Sequence, residues 1–386
     1  MRIITRTVLI LSVVSLFADI ASEMLYPVIP VYLKEIGFTV LWIGLLEGFV
    51  NFTAGISKGY FGKLSDEKGL RLPFVKLGYT FSSISKPLMA LFVYPVWIFF
   101  VRTLDRLGKG IRTAARDALL SQEATKETKA RVFGFHRGMD TVGATIGPII
   151  ALIYLYFYPR HYKTFFLLAF IPGIISILLI FLLKEKKQPV STLEKGSFFS
   201  FFKYWKVASP AFKKLTIGLL LFALFNSSDI FLLLKTKEVT GNDSMTIAAY
   251  VFYNLIYASA SYPLGALADK LTLKKIFMGG LILFAIVYGG FAFHPNTVMI
   301  FVLFLVYGIF AAATEGITKA WISNIANKEN VATAIGFYTS CESITTLCAS
   351  TIAGMLWSGA GSFYTFIVPA GVALLVTVYF LLKIKA

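Results

Sequence analysis

The sequence predicts an all-α membrane protein with twelve transmembrane helices in two sets of six. Three observations predict it. The 386-residue chain is 57% hydrophobic with a mean hydropathy of +0.75, and its apolar residues come in repeated runs long enough to cross a bilayer. At roughly 30 residues for a span and its loop, the chain has room for twelve. One long polar stretch, 184–213, separates the runs into 1–183 and 214–386, predicted as two six-helix bundles joined by a linker.

The twelve expected spans are 7–33, 41–64, 74–94, 96–116, 132–157, 163–183, 214–236, 246–268, 275–293, 297–318, 332–357 and 362–383. The first follows Arg2 and Arg6 as a signal peptide would. It is long, carries Asp19 and Glu23 and has no clear cleavage site, so it is expected to be retained. Proline and glycine inside several spans are compatible with membrane helices. The linker contains SFFSFFKYWK at 197–206, with aromatics and lysines interleaved, which suits a helix lying on a membrane surface.

A net charge of +17 would suggest nucleic-acid binding if the basic residues lay on a polar domain. They fall instead in alternate loops. Lys63, Lys68, Arg71 and Lys76 are assigned to one, Arg116, Lys126, Lys129 and Arg131 to another, and eight lysines from Lys184 to Lys214 to the central one. This positive-inside pattern places the linker and both termini on the cytoplasmic side of the cell membrane, with lipid and not nucleic acid as the macroscopic partner. Cys341 and Cys348 lie seven apart on one predicted helix, too far for a mutual disulfide.

The two halves repeat. The second span ends GKLSDEKGLR and the eighth GALADKLTLKK, a register that sets Asn51 opposite Asn254. GFHRGMD in the fifth span matches GFYTSCE in the eleventh, with Asp140 opposite Glu342. LFAD, ending at Asp19, matches LFNSSD, ending at Asp229. Matches in one order mark an internal duplication.

These motifs resemble the major facilitator superfamily over essentially the whole chain. Gly62, Leu64, Ser65, Asp66, Gly69 and Arg71 fit its signature between the second and third helices, with Glu67 replacing the usual base. The second copy fits at Gly265, Leu267, Ala268, Asp269 and Lys270 but has Thr272 in place of the glycine. Arg106 and Gly110 match the fourth-helix signature. Gly134, Gly143, Gly147 and Pro148 match the fifth-helix pattern associated with exchangers, without the glycine pair that normally follows. The resemblance implies a transporter with a central cavity lined by the first, fourth, seventh and tenth helices, and a gate at Asp66 and Asp269. It implies a small-molecule substrate, a monomer and no cofactor.

Buried charge points to the same cavity. Asp19 and Glu23, four residues apart, lie about 40° apart around one helix. Arg102, Asp105, Arg106 and Lys109 form a stripe on the fourth span. Asp140, Asp229 and Glu342 lie within their spans. Six such charges facing lipid would cost roughly 15–20 kcal/mol, above typical folding stability, so most must face a polar interior. Fixed ion pairs between helices are one use for them; a substrate and coupling-ion site is the other. Asp19 is the candidate proton carrier, with Arg106 as its expected exchanging partner. Arg102 and Lys109 suit an anionic substrate, and Asp229 a cationic group. Asn51, Asn254, Tyr26, Tyr257 and Tyr307 are candidate cavity residues. His136 is read as structural, and Glu315 and Lys319 as a pair.

Proton-coupled efflux is the leading function, with protons the coupling ion. Uptake of an organic anion such as a siderophore is the alternative. Divalent metal export ranks lower because no His/Cys cluster has ligand spacing. A membrane sensor ranks lower because the sequence shows no soluble signalling domain. No H-E-x-x-H, G-x-S-x-G or phosphate-binding glycine loop suggests an enzyme or an ATP-driven pump. The orientation is tested in a Cys341→Ala/Cys348→Ala background. A membrane-impermeant maleimide should label Asn242→Cys but not Ser197→Cys in intact cells; the reverse would invert the topology.

Overall fold

A computed structural model describes residues 3–185, 197–293 and 295–384. Among these residues it contains fifteen α-helices and no strand. They are α1 Arg6–Leu25, α2 Val28–Glu35, α3 Val40–Lys68, α4 Leu72–Leu91, α5 Pro95–Gln122, α6 Lys129–Phe157, α7 Tyr162–Ile180 and α8 Tyr204–Val207. The second half continues with α9 Pro210–Ala223, α10 Ile230–Thr240, α11 Asp243–Lys270, α12 Leu273–Ala292, α13 Thr297–Ile325, α14 Val331–Ala360 and α15 Ser362–Lys383. Setting aside α8 in the linker, these make twelve spans, because the first is α1 plus α2 and the seventh α9 plus α10.

Both broken spans were expected to be continuous. Pro27 has no N–H to give and crowds the preceding turn, so α1 stops at Leu25 and α2 starts at Val28. At 224–229 the run Asn226, Ser227, Ser228, Asp229 offers side-chain hydrogen bonds that compete with the helix. Ser228 N–H there donates to Ser350 Oγ at 3.2 Å. Elsewhere the ends carry ordinary caps. Thr5, Ser209 and Asn296 each accept an N–H from the first turn of their helix. Gly69 closes α3 at φ +63°, a left-handed conformation that favours glycine.

Among the described residues six helices (α1, α6, α7, α12, α13 and α15) are long and apolar enough to cross a membrane on length and composition alone. α5 is not among them, because its charged residues lower its hydropathy. Yet Arg102, Asp105, Arg112, Arg116 and Asp117 are all buried in protein, so neighbouring helices supply what lipid cannot. Conversely, Leu178 of α7 and Leu374, Leu375 and Leu382 of α15 are exposed, as suits a surface solvated by acyl chains.

The chain forms two compact units that do not follow its halves. Unit 1 holds 1–123, 139–206 and 327–340; unit 2 holds 124–138, 207–326 and 341–386. In unit 1, α5 packs on α3 and α4, and α7 on α1 and α4. An apolar core of Met24, Leu25, Ile29, Met89, Phe165 and Phe166 lies among them. α6 joins through its glycines. A Cβ at Gly143 would sit 2.6 Å from Leu16 O, and one at Gly147 2.7 Å from Met24 N. The exchanger-type glycine spacing is therefore a seam that lets α6 lie against the backbone of α1. In unit 2, α13 packs on α11 and α12, and α15 on α12, around an aromatic core that includes Phe222, Phe284, Phe291 and Phe310.

The linker segment 197–206 packs partly into unit 1. Phe201 is fully buried with its ring over Gly59, Lys63 Nζ donates to Ser200 Oγ at 2.8 Å, and Trp205 stacks on Phe337. Burial, with the nearby Asp66 carboxylate, pushes the Tyr204 hydroxyl up to about 12, so it stays neutral. Lys186, Lys187 and Lys195 lie outside the described residues. The glycine seam is tested by Gly147→Val, which should lower stability by about 1–3 kcal/mol through overpacking against α1. Gly279→Val, at a position with open space around it, should leave the thermal midpoint of the purified protein unchanged.

Candidate functional site

The charges of unit 1 converge on α5. Asp105 is held from α4, where Lys86 Nζ donates to its Oδ1 at 2.7 Å and Ser82 Oγ donates to the same oxygen at 2.6 Å. Arg102 Nη1 approaches Oδ2 at 3.7 Å. Lys86 is 1% exposed and also reaches Ser22 of α1. About three turns on, Arg116 donates through Nε and Nη2 to Asp117 Oδ1 and through Nη1 to Ser15 of α1. Its Nη1 lies 3.9 Å from Asp140 of α6. Asp105 and Asp117 are thus locked by short, buried, charge-assisted bonds.

Asp19 is held differently. Arg112 Nη2 stands 4.0 Å from its Oδ1, beyond direct hydrogen-bond length, and the carboxylate keeps 15% exposure. Lys109, Glu23 and Asp140 also act on it. Arg112 is nearly fully buried, its guanidinium 4.3 Å from the Tyr79 ring centroid, and its Nε and Nη1 have no hydrogen-bond partner among the described residues. Gly78 makes room for it, since a Cβ there would lie 2.6 Å from Arg112 Cβ.

Several sequence assignments change. The cation nearest Asp19 is Arg112, not Arg106 or Arg102. Six residues span about 9 Å of helix, and which arginine meets Asp19 depends on the depth at which α5 crosses α1. Arg116, assigned to a loop, is a buried member of the cluster, because α5 runs to Gln122 rather than ending at residue 116. Lys63 and Lys129, also counted as loop residues, are buried helical residues. Lys86 was missed, although a lysine midway in an apolar run is as costly as the acids that drew attention. Arg106 and Lys109 lie half-buried on the same stripe, as does Glu23 on α1. Asn51 and Tyr26 are exposed. Asn254 is buried and bonds the Tyr250 carbonyl of its own helix.

In unit 2, Asp229 stands at the start of α10, where Tyr307 donates to its Oδ1 at 2.6 Å. Arg137 of α6 pairs with Glu315 of α13 and donates to Tyr257 at 2.6 Å. Glu342 is half-buried on α14, and His136 is buried on α6.

The repeated aspartates share one geometry. Asp66 accepts from Arg71 at 2.8 Å and from Thr333 N and Oγ1, at 2.7 and 2.9 Å, in the first turn of α14. Asp269 accepts from Ala130 N and Arg131 N in the first turn of α6, and from Arg131 Nε, at 3.0–3.2 Å. Each carboxylate thus caps a helix N-terminus, with an arginine alongside. The motif glycines lie beneath: a Cβ on Gly62 would sit 2.5 Å from Ala332 O, and one on Gly265 2.4 Å from Ala130 O. Lys270 is exposed, and Arg131 is the cation at Asp269. Thr272 needs no left-handed turn because it is extended and caps α12 by accepting from Lys275 N–H. Among the described residues no group of three or more His, Cys, Asp or Glu could hold a metal.

The Lys86–Asp105 pair supports a quantitative test. Lys86→Met or Asp105→Asn alone should cost roughly 3–5 kcal/mol, since each strands a buried charge. The double variant should cost clearly less than the sum of the two, measured as a double-mutant cycle in thermal unfolding of the purified protein.

Known proteins bear on this arrangement. The model of the Major Facilitator Superfamily matches residues 11–253 and 236–386. An uncharacterized MFS-type transporter of Methanocaldococcus jannaschii is 33% identical over 362 residues, 92% of this chain and 89% of that protein. A multi-drug resistance efflux pump PmrA homolog of Lactococcus lactis is 21% identical over 341 residues, 85% of this chain and 82% of that one. The crystal structure of the human organic anion transporter MFSD10 superposes with a TM-score of 0.82 at 15% identity, covering 97% of this chain and 99% of that one. FucP superposes with a TM-score of 0.79 at 13% identity over all of both chains. With twelve spans in two repeated halves and a family match over nearly its whole length, the chain belongs to the major facilitator superfamily.

Proposed function

We propose that this protein is a proton-coupled exporter of a small molecule, acting as a monomer in the cytoplasmic membrane with both termini cytoplasmic. The observation that carries the reading is the contrast among the acids of unit 1. Asp105 and Asp117 are fixed by cations at 2.7 and 3.0 Å, whereas Asp19 faces Arg112 at 4.0 Å and keeps some exposure. A carboxylate between a loose cationic partner and water can exchange one for a proton. Protonating Asp19 removes the attraction for Arg112 and Lys109, and deprotonating it restores the pull. That gives proton binding a structural consequence that the locked acids lack.

Export is supported by the similarity, over 85% of this chain, to a multi-drug resistance efflux pump homolog and by the Gly143–Gly147–Pro148 seam, whose spacing resembles that of exchangers. In the resemblance to the family, Asp66 and Asp269 serve as gate residues. Their capping of α14 and α6 suits that role, because a helix N-terminus can be held by a carboxylate and released without breaking a covalent element. Asp140, whose Oδ2 lies 3.9 Å from Arg116 Nη1, joins the fifth span to the same network.

The test uses a solute found by a thermal-stabilisation screen of organic acids, sugars, amines and lipophilic cations. In proteoliposomes, wild-type protein should accumulate the solute against its gradient when an opposing proton gradient is imposed. Asp19→Asn should keep solute counterflow within about 2-fold and lose roughly 10-fold or more of gradient-driven accumulation. An Asp19→Asn protein that still couples sinks the assignment, and solute moving with protons rather than against them replaces export with uptake.

A further inference from the structure

We infer that unit 2 carries a binding site for an organic cation at the break in the seventh span, with Asp229 as its counter-ion. The inference deepens the transporter reading by naming a substrate class, and it rests on that reading for its physiological use.

The break is the first observation. α9 ends at Ala223 and α10 begins at Ile230, so the regular helix is interrupted at 224–229 inside a span. Interrupted helices in transporters expose backbone and polar side chains where a solute binds. Asp229 stands at the end of this interruption, only partly buried. Asn226, three residues earlier, buries its Oδ1 without a hydrogen-bond partner among the described residues. The interruption therefore presents a carboxylate and an unused acceptor and asks for a donor or a positive charge.

The second observation is what surrounds Asp229. Tyr307 of α13 donates to it, and the Tyr253 ring of α11 packs against that tyrosine. The two rings lie 5.0 Å apart at 34°, Tyr257 stacks on Tyr253 at 6.0 Å, and Phe310 stacks on Tyr307 at 5.3 Å. Glu315, another acid, also acts on Asp229 and is itself paired with Arg137. Among the described residues Asp229 forms no ion pair with a basic side chain. Unit 1 treats its acids in the opposite way, giving Asp105, Asp117 and Asp140 basic neighbours. A carboxylate without a protein counter-ion, walled by tyrosine faces, is the chemistry that recognises an ammonium or phosphonium centre on an apolar body. The ring quadrupoles and the carboxylate both favour a cation and disfavour an anion.

The experiment measures equilibrium binding of radiolabelled tetraphenylphosphonium to the full-length protein in lipid nanodiscs, against empty nanodiscs. Wild-type protein should bind it saturably. Asp229→Asn should weaken binding at least about 10-fold, and Tyr307→Ala similarly. Tyr307→Phe, which keeps the ring and loses the hydroxyl, should stay within about 3-fold. Asp229→Glu should retain most of the affinity, and each variant's thermal midpoint reports whether it folds. Exposed Glu127→Gln should change nothing. Tetraphenylborate, with the same four phenyl groups and the opposite charge, should not compete. Unchanged binding by Asp229→Asn, displacement by tetraphenylborate, or no saturable binding to wild-type protein would overturn the site. Saturable, Asp229-dependent binding without gradient-driven transport leaves the site standing and removes the exporter reading. Coupled transport of a neutral or anionic solute without tetraphenylphosphonium binding does the reverse.

Discussion

Unit 1 depends on one constraint: charge inside a membrane protein must be matched by charge or dipole, because neither lipid nor bulk water supplies the match. α5 brings Arg102, Asp105, Arg112, Arg116 and Asp117 into the interior together. It tolerates them because α4 provides Lys86 and Ser82, α1 provides Ser15 and Asp19, and α6 provides Asp140. The glycine seam of α6 follows from the same need. Only small residues let α6 approach α1 closely enough for Asp140 to share a network with Arg116.

The duplicated halves use equivalent frames for different interiors. Both have a broken span, and both have a motif aspartate capping a helix start, with a glycine beneath it against a carbonyl. Unit 1 then fills its interior with paired charges, whereas unit 2 fills it with stacked tyrosines and phenylalanines around Asp229. The capping geometry could persist while the interiors diverged, because it relies on backbone N–H groups that any sequence provides. The Thr272 substitution shows how loosely the rest of the motif is bound. Glycine is needed at Gly69 for a left-handed turn, while Thr272 is extended and does other work.

Much of the site was legible. Asp19, Asp105 and Asp229 announce themselves as acids in apolar runs, and the three-and-four spacing of the α5 stripe shows that its members share a face. The pairing was not legible. Arg106 carries the family signature and is the obvious partner for Asp19 from sequence, but Arg112 faces Asp19 because of where two helices cross. Lys86 escaped because a single lysine beside serines and Pro87 gives no pattern, although its cost in an apolar run was the available signal. Arg116 was misassigned because hydropathy truncates a helix at its charged end.

The sequence by itself determined that the chain crosses a membrane many times, that it is a duplicated bundle of helices, and which positions carry costly charge. These follow from transfer energies and helical periodicity, which are local properties of the chain. Tertiary structure alone decided which charges meet, which acids are locked and which is loose, and that Asp229 stands among tyrosines with no ion pair among the described residues. Those outcomes depend on the depth and rotation at which separate helices pack, to within a few ångströms. Electrostatics in a low-dielectric interior is steep over that distance, and no local pattern in the sequence encodes it.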